Sequence, residues 1–170
     1  MTEKNSTDGK DMVVTRTFNA PRELVWAAWT DPEPLKQWFG PKGFTMPTCK
    51  MDLRPGGTFL YSAKSPDGHE MWGKWVFRKV VKPERLVLVN SFSDEKGGIT
   101  RHPLSATWPL EMLSTTTLAE ENGKTLITIR WAPLNASETE IQTFDAGRSG
   151  MVVGWNGTFE QLDEYLAKAK

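Results

Sequence analysis

The stretch SETEIQTFDAGRSGMVVGWNGTFEQLDEYL, residues 137–166, decides how the chain must fold. It opens with a capping-box pattern, in which the Ser137 hydroxyl and the Glu140 carboxylate each accept a hydrogen bond from the other residue's backbone N–H at a helix start. Beyond it, Ile141, Phe144, Met151, Val152, Trp155, Phe159, Leu162 and Leu166 fall on one arc at about 100° per residue, the stripe of a long amphipathic helix. Gly147, Gly150, Gly154 and Gly157 recur inside it at spacings of three, four and three. Each costs about 1 kcal/mol against alanine in a helix interior, so four of them need a reason. Close packing of the helix backbone against a neighbour, combined with a kink or a late start, is one; bare backbone that leaves ligand space beside Met151 and Trp155 is the other. Arg148 falls in the middle of the apolar arc, where a guanidinium must pair or reach water. It reads either as half of a structural ion pair or as the fixed cation for a polar or anionic group on an otherwise apolar ligand.

Working back along the chain, Met12 to Phe18 alternates loosely and is rich in β-branched residues, which predicts a first strand. Pro21 suits the first position of a helix carrying Leu24, Val25 and Ala28 inward, and Asp31-Pro32 repeats the start signal for a second short helix ending before Gly40. From Cys49 onward, turn clusters at Pro55-Gly56-Gly57, Pro66-Asp67-Gly68, Gly97-Gly98 and Asn122-Gly123 separate β-like runs. These runs cover Thr58 to Lys64, Glu70 to Val81, Arg85 to Phe92, Ala106 to Ala119 and Lys124 to Trp131, with Pro109 implying an edge or bulge. No helical pattern intervenes, so the runs predict an antiparallel meander rather than βαβ units. The expected fold is therefore α+β, a sheet of six or seven strands whose apolar face is covered by the last helix. If the sheet curves around that helix, the space between them becomes a cavity.

Length and composition bound the function. The chain has 170 residues, 21 basic against 21 acidic, which argues against a dedicated nucleic-acid binder. One cysteine excludes a disulfide framework, and no apolar run is long enough to span a membrane. A polar arm, residues 1–10, precedes a single expected domain over residues 11–170; it lacks the apolar stretch of a secretory signal, so a cytoplasmic protein is expected. Neutrality hides local imbalance: Lys74, Arg78, Lys79, Lys82 and Arg85 make one hairpin basic, and six carboxylates against Arg148 make the last helix acidic. Two solvated faces explain this, as does head-to-tail self-association; the state is expected to be monomer or homodimer.

Catalytic and metal signatures are missing. No H-E-x-x-H, G-x-S-x-G, P-loop or G-x-G-x-x-G pattern occurs, and His69 and His102 read as exposed loop residues. Asp67 with His69 is a weak pair that turn chemistry already explains. Cys49 reads as a small strand or loop residue without an activating neighbour. No metal site, cofactor or catalytic group is assigned.

Several segments in order resemble a known family: Phe18-Asn19-Ala20-Pro21-Arg22-Glu23-Leu24-Val25-Trp26, Gln37-Trp38-Phe39-Gly40-Pro41, Asp52-Leu53-Arg54-Pro55-Gly56-Gly57-Thr58-Phe59, Pro66-Asp67-Gly68, Pro83-Glu84-Arg85-Leu86-Val87 and Gly154-Trp155. The family is the SRPBCC (START-like, birch-pollen-allergen-like) superfamily, in the branch named for the activator of the ninety-kilodalton heat-shock chaperone ATPase. The resemblance covers nearly everything from Met12 to Leu166 and implies a helix-grip fold, with the two short helices closing one end of a hydrophobic cavity. Members bind or process hydrophobic small molecules and some act as chaperone cofactors, so the fold leaves function open. The Asn- and Trp-rich motif of the eukaryotic co-chaperone's separate N-terminal domain is absent from these residues, so a chaperone partner has no motif behind it.

The leading expectation is a module that binds a hydrophobic or aromatic small molecule, through Trp38 and Phe39 at the lid, Phe59, Tyr61, Trp75 and Phe92 from strands, and Arg148, Met151 and Trp155 from the helix. A cyclase, aromatase or hydrolase acting in the same cavity is the second reading; its candidate polar residues are Tyr61, Arg148, Glu111 and Asn90. A chaperone-associated interaction module is the third. A sealed core favours the third reading, an open apolar pocket the first, and a pocket with converging polar groups the second.

Overall fold

Chain reversals fall where small and turn-forming residues allow them. The structure, a computed structural model, describes residues 11–40 and 42–169, and the polar arm expected over residues 1–10 lies outside them. The strands are β1 (Met12–Phe18), β2 (Cys49–Met51), β3 (Thr58–Lys64), β4 (Glu70–Val81), β5 (Arg85–Ser93), β6 (Ile99–Thr100), β7 (Glu111–Glu121) and β8 (Lys124–Leu134). The helices are α1 (Arg22–Thr30), α2 (Pro32–Trp38) and α3 (Glu138–Ala169). The β7–β8 hairpin turns on Asn122 and Gly123, at φ 57° and 78°. Two positive φ values in a two-residue loop are the type I′ geometry that matches strand twist.

All pairings are antiparallel, in the order β1-β8-β7-β5-β4-β3-β2, with β6 joined only to β5. This is the expected α+β helix-grip arrangement: a curved antiparallel sheet, two short helices after the first strand and a long helix at the end. Alternation sets the inner face. Phe59 and Tyr61 on β3, Gly73, Trp75 and Phe77 on β4, Leu86, Leu88 and Asn90 on β5, and Met112, Ser114, Thr116 and Leu118 on β7 all share the parity of buried positions.

The capping box forms as the spacing requires. Ser137 N donates to Glu140 Oε1 at 2.9 Å and Glu140 N donates to Ser137 Oγ at 3.1 Å. From there α3 runs 32 residues without interruption, about 48 Å at 1.5 Å per residue. Its C-terminal half buries Trp155, Phe159, Leu162 and Leu166 against β1 and α2. Phe159 meets Phe18 edge-on at 5.4 Å, Arg16 reaches Asp163 at 3.0 Å, and Gln161 Nε2 donates to the Gly40 carbonyl at 2.6 Å. The helix is thereby anchored at the β1 edge and stands off the middle of the sheet.

Four details differ from the sequence reading. Pro21 precedes α1 as its cap rather than opening it. The strand expected from Ala106 begins at Glu111, because the segment before it turns repeatedly, with Ser105 N bonded to His102 O, and Pro109 supplies no N–H to a ladder. The short β2 and β6 were not expected, and among the described residues they bring the sheet to eight strands rather than six or seven. Close packing holds for Gly147 alone, where an added Cβ would lie 3.1 Å from Trp108; at Gly150, Gly154 and Gly157 it would meet nothing within 4 Å. The helix is uninterrupted and open at those three positions.

Candidate functional site

Where α3 stands off the sheet, a cavity of about 320 Å³ remains. Its floor is a grid set by strand register. Tyr61 pairs with Gly73 and Gly73 with Phe92; Trp75 pairs with Asn90 and Asn90 with Met112; Leu88 pairs with Ser114 and Ser114 with Trp131. Gly73 is required here by its neighbour, since a Cβ would sit 2.4 Å from the Tyr61 ring. The phenol lies across the bare backbone, walled by Phe59 at 5.0 Å and Phe39 at 5.5 Å. Burial pushes its pKa up to about 12, so at neutral pH Tyr61 keeps its proton.

Two lids close the ends. At one, α2 delivers Phe39, which packs edge-on to Trp75 at 5.6 Å and reaches Trp155 at 6.3 Å. At the other, the segment between β6 and β7 folds over the mouth and is tied to the start of α3: Arg101 pairs with Glu140, and Thr143 and Thr107 share a hydroxyl hydrogen bond of 2.9 Å. This segment brings His102 onto Phe92 at 4.6 Å and Trp108 toward Phe144 at 5.8 Å. His102 Nδ1 accepts from Leu104 N at 2.9 Å, which leaves Nε2–H as the remaining donor of the neutral ring, and burial lowers its pKa. The roof is Met151 and Trp155. A second hollow of about 470 Å³ lies against Gly154, Gly157 and exposed Val153 and shares Phe39, Trp131, Met151 and Trp155 with the inner cavity. Those four side chains partition the interior from the surface.

Of the nine residues expected to touch a ligand, Phe39, Tyr61, Trp75, Phe92, Met151 and Trp155 line the cavity. Trp38, Phe59 and Arg148 do not. Trp38 is fully buried beside it, its Nε1 donating to the Ala28 carbonyl at 2.9 Å, and Phe59 is sealed beneath Tyr61 and Trp75. Arg148 pairs with Asp145 one turn back on α3. Asn90 lies on the floor, whereas Glu111, at the start of β7, is not among the lining residues. His102, expected as an exposed loop residue, is half-buried and lines the mouth. Ser114, Thr116, Trp108 and Trp131 were not singled out beforehand. For the first two the signal was present: small polar residues at the inward parity of β7, between Met112 and Leu118, leave volume that large residues would fill.

Among the described residues no three His, Cys, Asp or Glu side chains come together as a metal site, and no helix is long and apolar enough to cross a membrane. Burial raises the Cys49 thiol pKa, and its Sγ lies 3.7 Å from the Pro32 carbonyl, which keeps it a thiol at neutral pH.

The model of the family described as "Activator of Hsp90 ATPase homolog 1-like protein" matches residues 19–167. A comparison with curated proteins returns no match. Solved structures agree over the whole fold. A Mycobacterium smegmatis protein is 27% identical with a TM-score of 0.75, covering 94% of this chain and 92% of its own. A Nitrosomonas europaea protein is 27% identical with a TM-score of 0.74, covering 94% and 95%. An Arthrobacter aurescens protein is 27% identical with a TM-score of 0.77, covering 95% and 88%. With its matching residues spanning nearly all of the described fold, the chain belongs to the activator of Hsp90 ATPase homolog 1-like family.

Proposed function

We propose that the chain binds a hydrophobic, ring-containing small molecule between its sheet and α3. The observation behind this reading is the cavity itself: about 320 Å³ left open among Trp29, Tyr61, Trp75, Trp131, Met151 and Trp155. Large side chains normally interdigitate to leave few voids bigger than one water, and this one has the volume of about ten waters. Flat apolar walls with a few polar groups are the usual make-up of a small-molecule site. The exposed hollow along Gly154 and Gly157 borders the cavity through shared side chains and offers a way in.

Recognition by ring stacking and apolar burial, without chemistry, is the reading favoured over an enzyme. Tyr61 keeps its proton, and no carboxylate is among the described residues that line the cavity. The test is native mass spectrometry of protein purified from its own cells. Added mass that denaturation releases as a small apolar compound supports binding. Protein carrying no added mass, and taking none up from an extract of the same cells, overturns it.

A further inference from the structure

Three polar side chains follow one another along the floor strands of the cavity. Asn90, Thr116 and Ser114 are 8%, 3% and 4% exposed, each facing the cavity from an inward strand position. Asn90 and Ser114 are diagonal neighbours across the β5–β7 ladder, because Asn90 pairs with Met112 and Leu88 with Ser114; Ser114 and Thr116 follow two apart on β7. Ser114 Oγ accepts from Trp131 Nε1 at 3.0 Å. Neither Asn90 nor Thr116 makes a side-chain hydrogen bond to another described residue. Their polar atoms are open to the cavity space and free to meet a ligand, whereas the sealed N–H groups without a partner at the cavity wall belong to Trp29 and Trp108.

The second observation concerns charge. Among the described residues no Asp, Glu, Lys or Arg lines the cavity, and Arg148, on the apolar side of α3, is paired with Asp145. An ionised ligand group would therefore be stripped of water with no counter-charge to meet it.

We infer that the ligand is uncharged, and that it carries a hydroxyl or carbonyl on one edge that is received by the Asn90–Ser114–Thr116 track, with the aromatic walls taking the rest. The amide of Asn90 both donates and accepts, so a phenol and a ketone both satisfy it. The inference rests on the binding reading above and narrows it to a chemical class.

Three probes separate the possibilities by tryptophan quenching or calorimetry at pH 7: naphthalene, 2-naphthol, which is neutral, and 2-naphthoate, which is ionised. The wild type is expected to bind 2-naphthol at least about tenfold more tightly than 2-naphthoate, and more tightly than naphthalene. Asn90→Leu should keep naphthalene binding and lose the advantage of 2-naphthol over it. Should Asn90→Leu fail to fold, Asn90→Val, which is smaller and suits a strand, carries the same comparison. The inference is overturned if 2-naphthoate binds as tightly as 2-naphthol, or if the folded variant preserves the naphthol-to-naphthalene ratio. If none of the three probes binds, the binding function itself falls, and this inference with it.

Discussion

Replacing Gly150, Gly154 and Gly157 together by alanine should stabilise the protein. All three lie in the interior of α3, at exposed positions, and an added Cβ meets nothing within 4 Å at any of them. Alanine is favoured over glycine by about 0.8–1.0 kcal/mol at such a position, mostly because the unfolded glycine has more freedom to lose. Three positions give about 2.5 kcal/mol. At about 2–4 °C per kcal/mol for a chain of this size, the melting temperature should rise by about 5–10 °C. Gly147→Ala is the internal control. Its Cβ would lie 3.1 Å from Trp108 Cζ3, and Trp108 is held on its other side by the lid segment, so the same substitution should gain little or lose stability. Urea unfolding followed by circular dichroism reads both, with an unchanged m-value showing that only stability moved. A triple variant no more stable than the parent, or a Gly147→Ala variant that gains as much per site, would refute the contrast between open and packed glycines.

Other expectations follow from the same contacts. Trp38→Phe removes the donor to the Ala28 carbonyl in a fully buried site and should cost about 1–3 kcal/mol in urea unfolding, with probe affinity unchanged because Trp38 does not line the cavity. Gly73→Ala forces the Tyr61 ring off the strand and should destabilise by about 1–3 kcal/mol while weakening probe binding several-fold, measured by calorimetry. The Tyr61 phenol titrates at about 12 in the folded chain against 10.0 ordinarily, so the folded state holds a proton that the unfolded state has lost; stability should fall as pH rises from about 10 to about 12, and Tyr61→Phe should flatten that fall. His102 shifts the other way. Burial lowers its pKa from 6.5, the unfolded chain takes up the proton first, and stability should be full above about 6.5 and decline as pH is lowered below it, a slope that His102→Gln should reduce in melts between pH 7 and pH 5.

The fold was legible because its signals are local and agree with one another. The capping box, the apolar arc of residues 141–166 and the Asn122-Gly123 turn each form as their chemistry requires. The site was legible only in part, since sequence parity says which face a residue takes but not which inward residues stop short of α3. Phe59 and Tyr61 share a face, yet Phe59 is sealed while Tyr61 borders the void, a difference made by the standoff of the helix. His102 reads as exposed and Trp108 draws no attention in the sequence because a non-repetitive loop places them. Arg148 was weighed as a ligand cation before Asp145, three residues earlier, could be seen as its partner. The glycine row gave the most informative outcome, because one member packs and three stand open.

The central claim, that the space beneath α3 is a binding cavity, is tested most directly by a crystal structure of the protein soaked with 2-naphthol. Ordered two-ring density is expected between Trp75, Trp131 and Met151, with its oxygen within about 3.2 Å of the Asn90 amide. A roof of Met151 and Trp155 collapsed onto the strands, with the probe absent or confined to the outer surface, would contradict it.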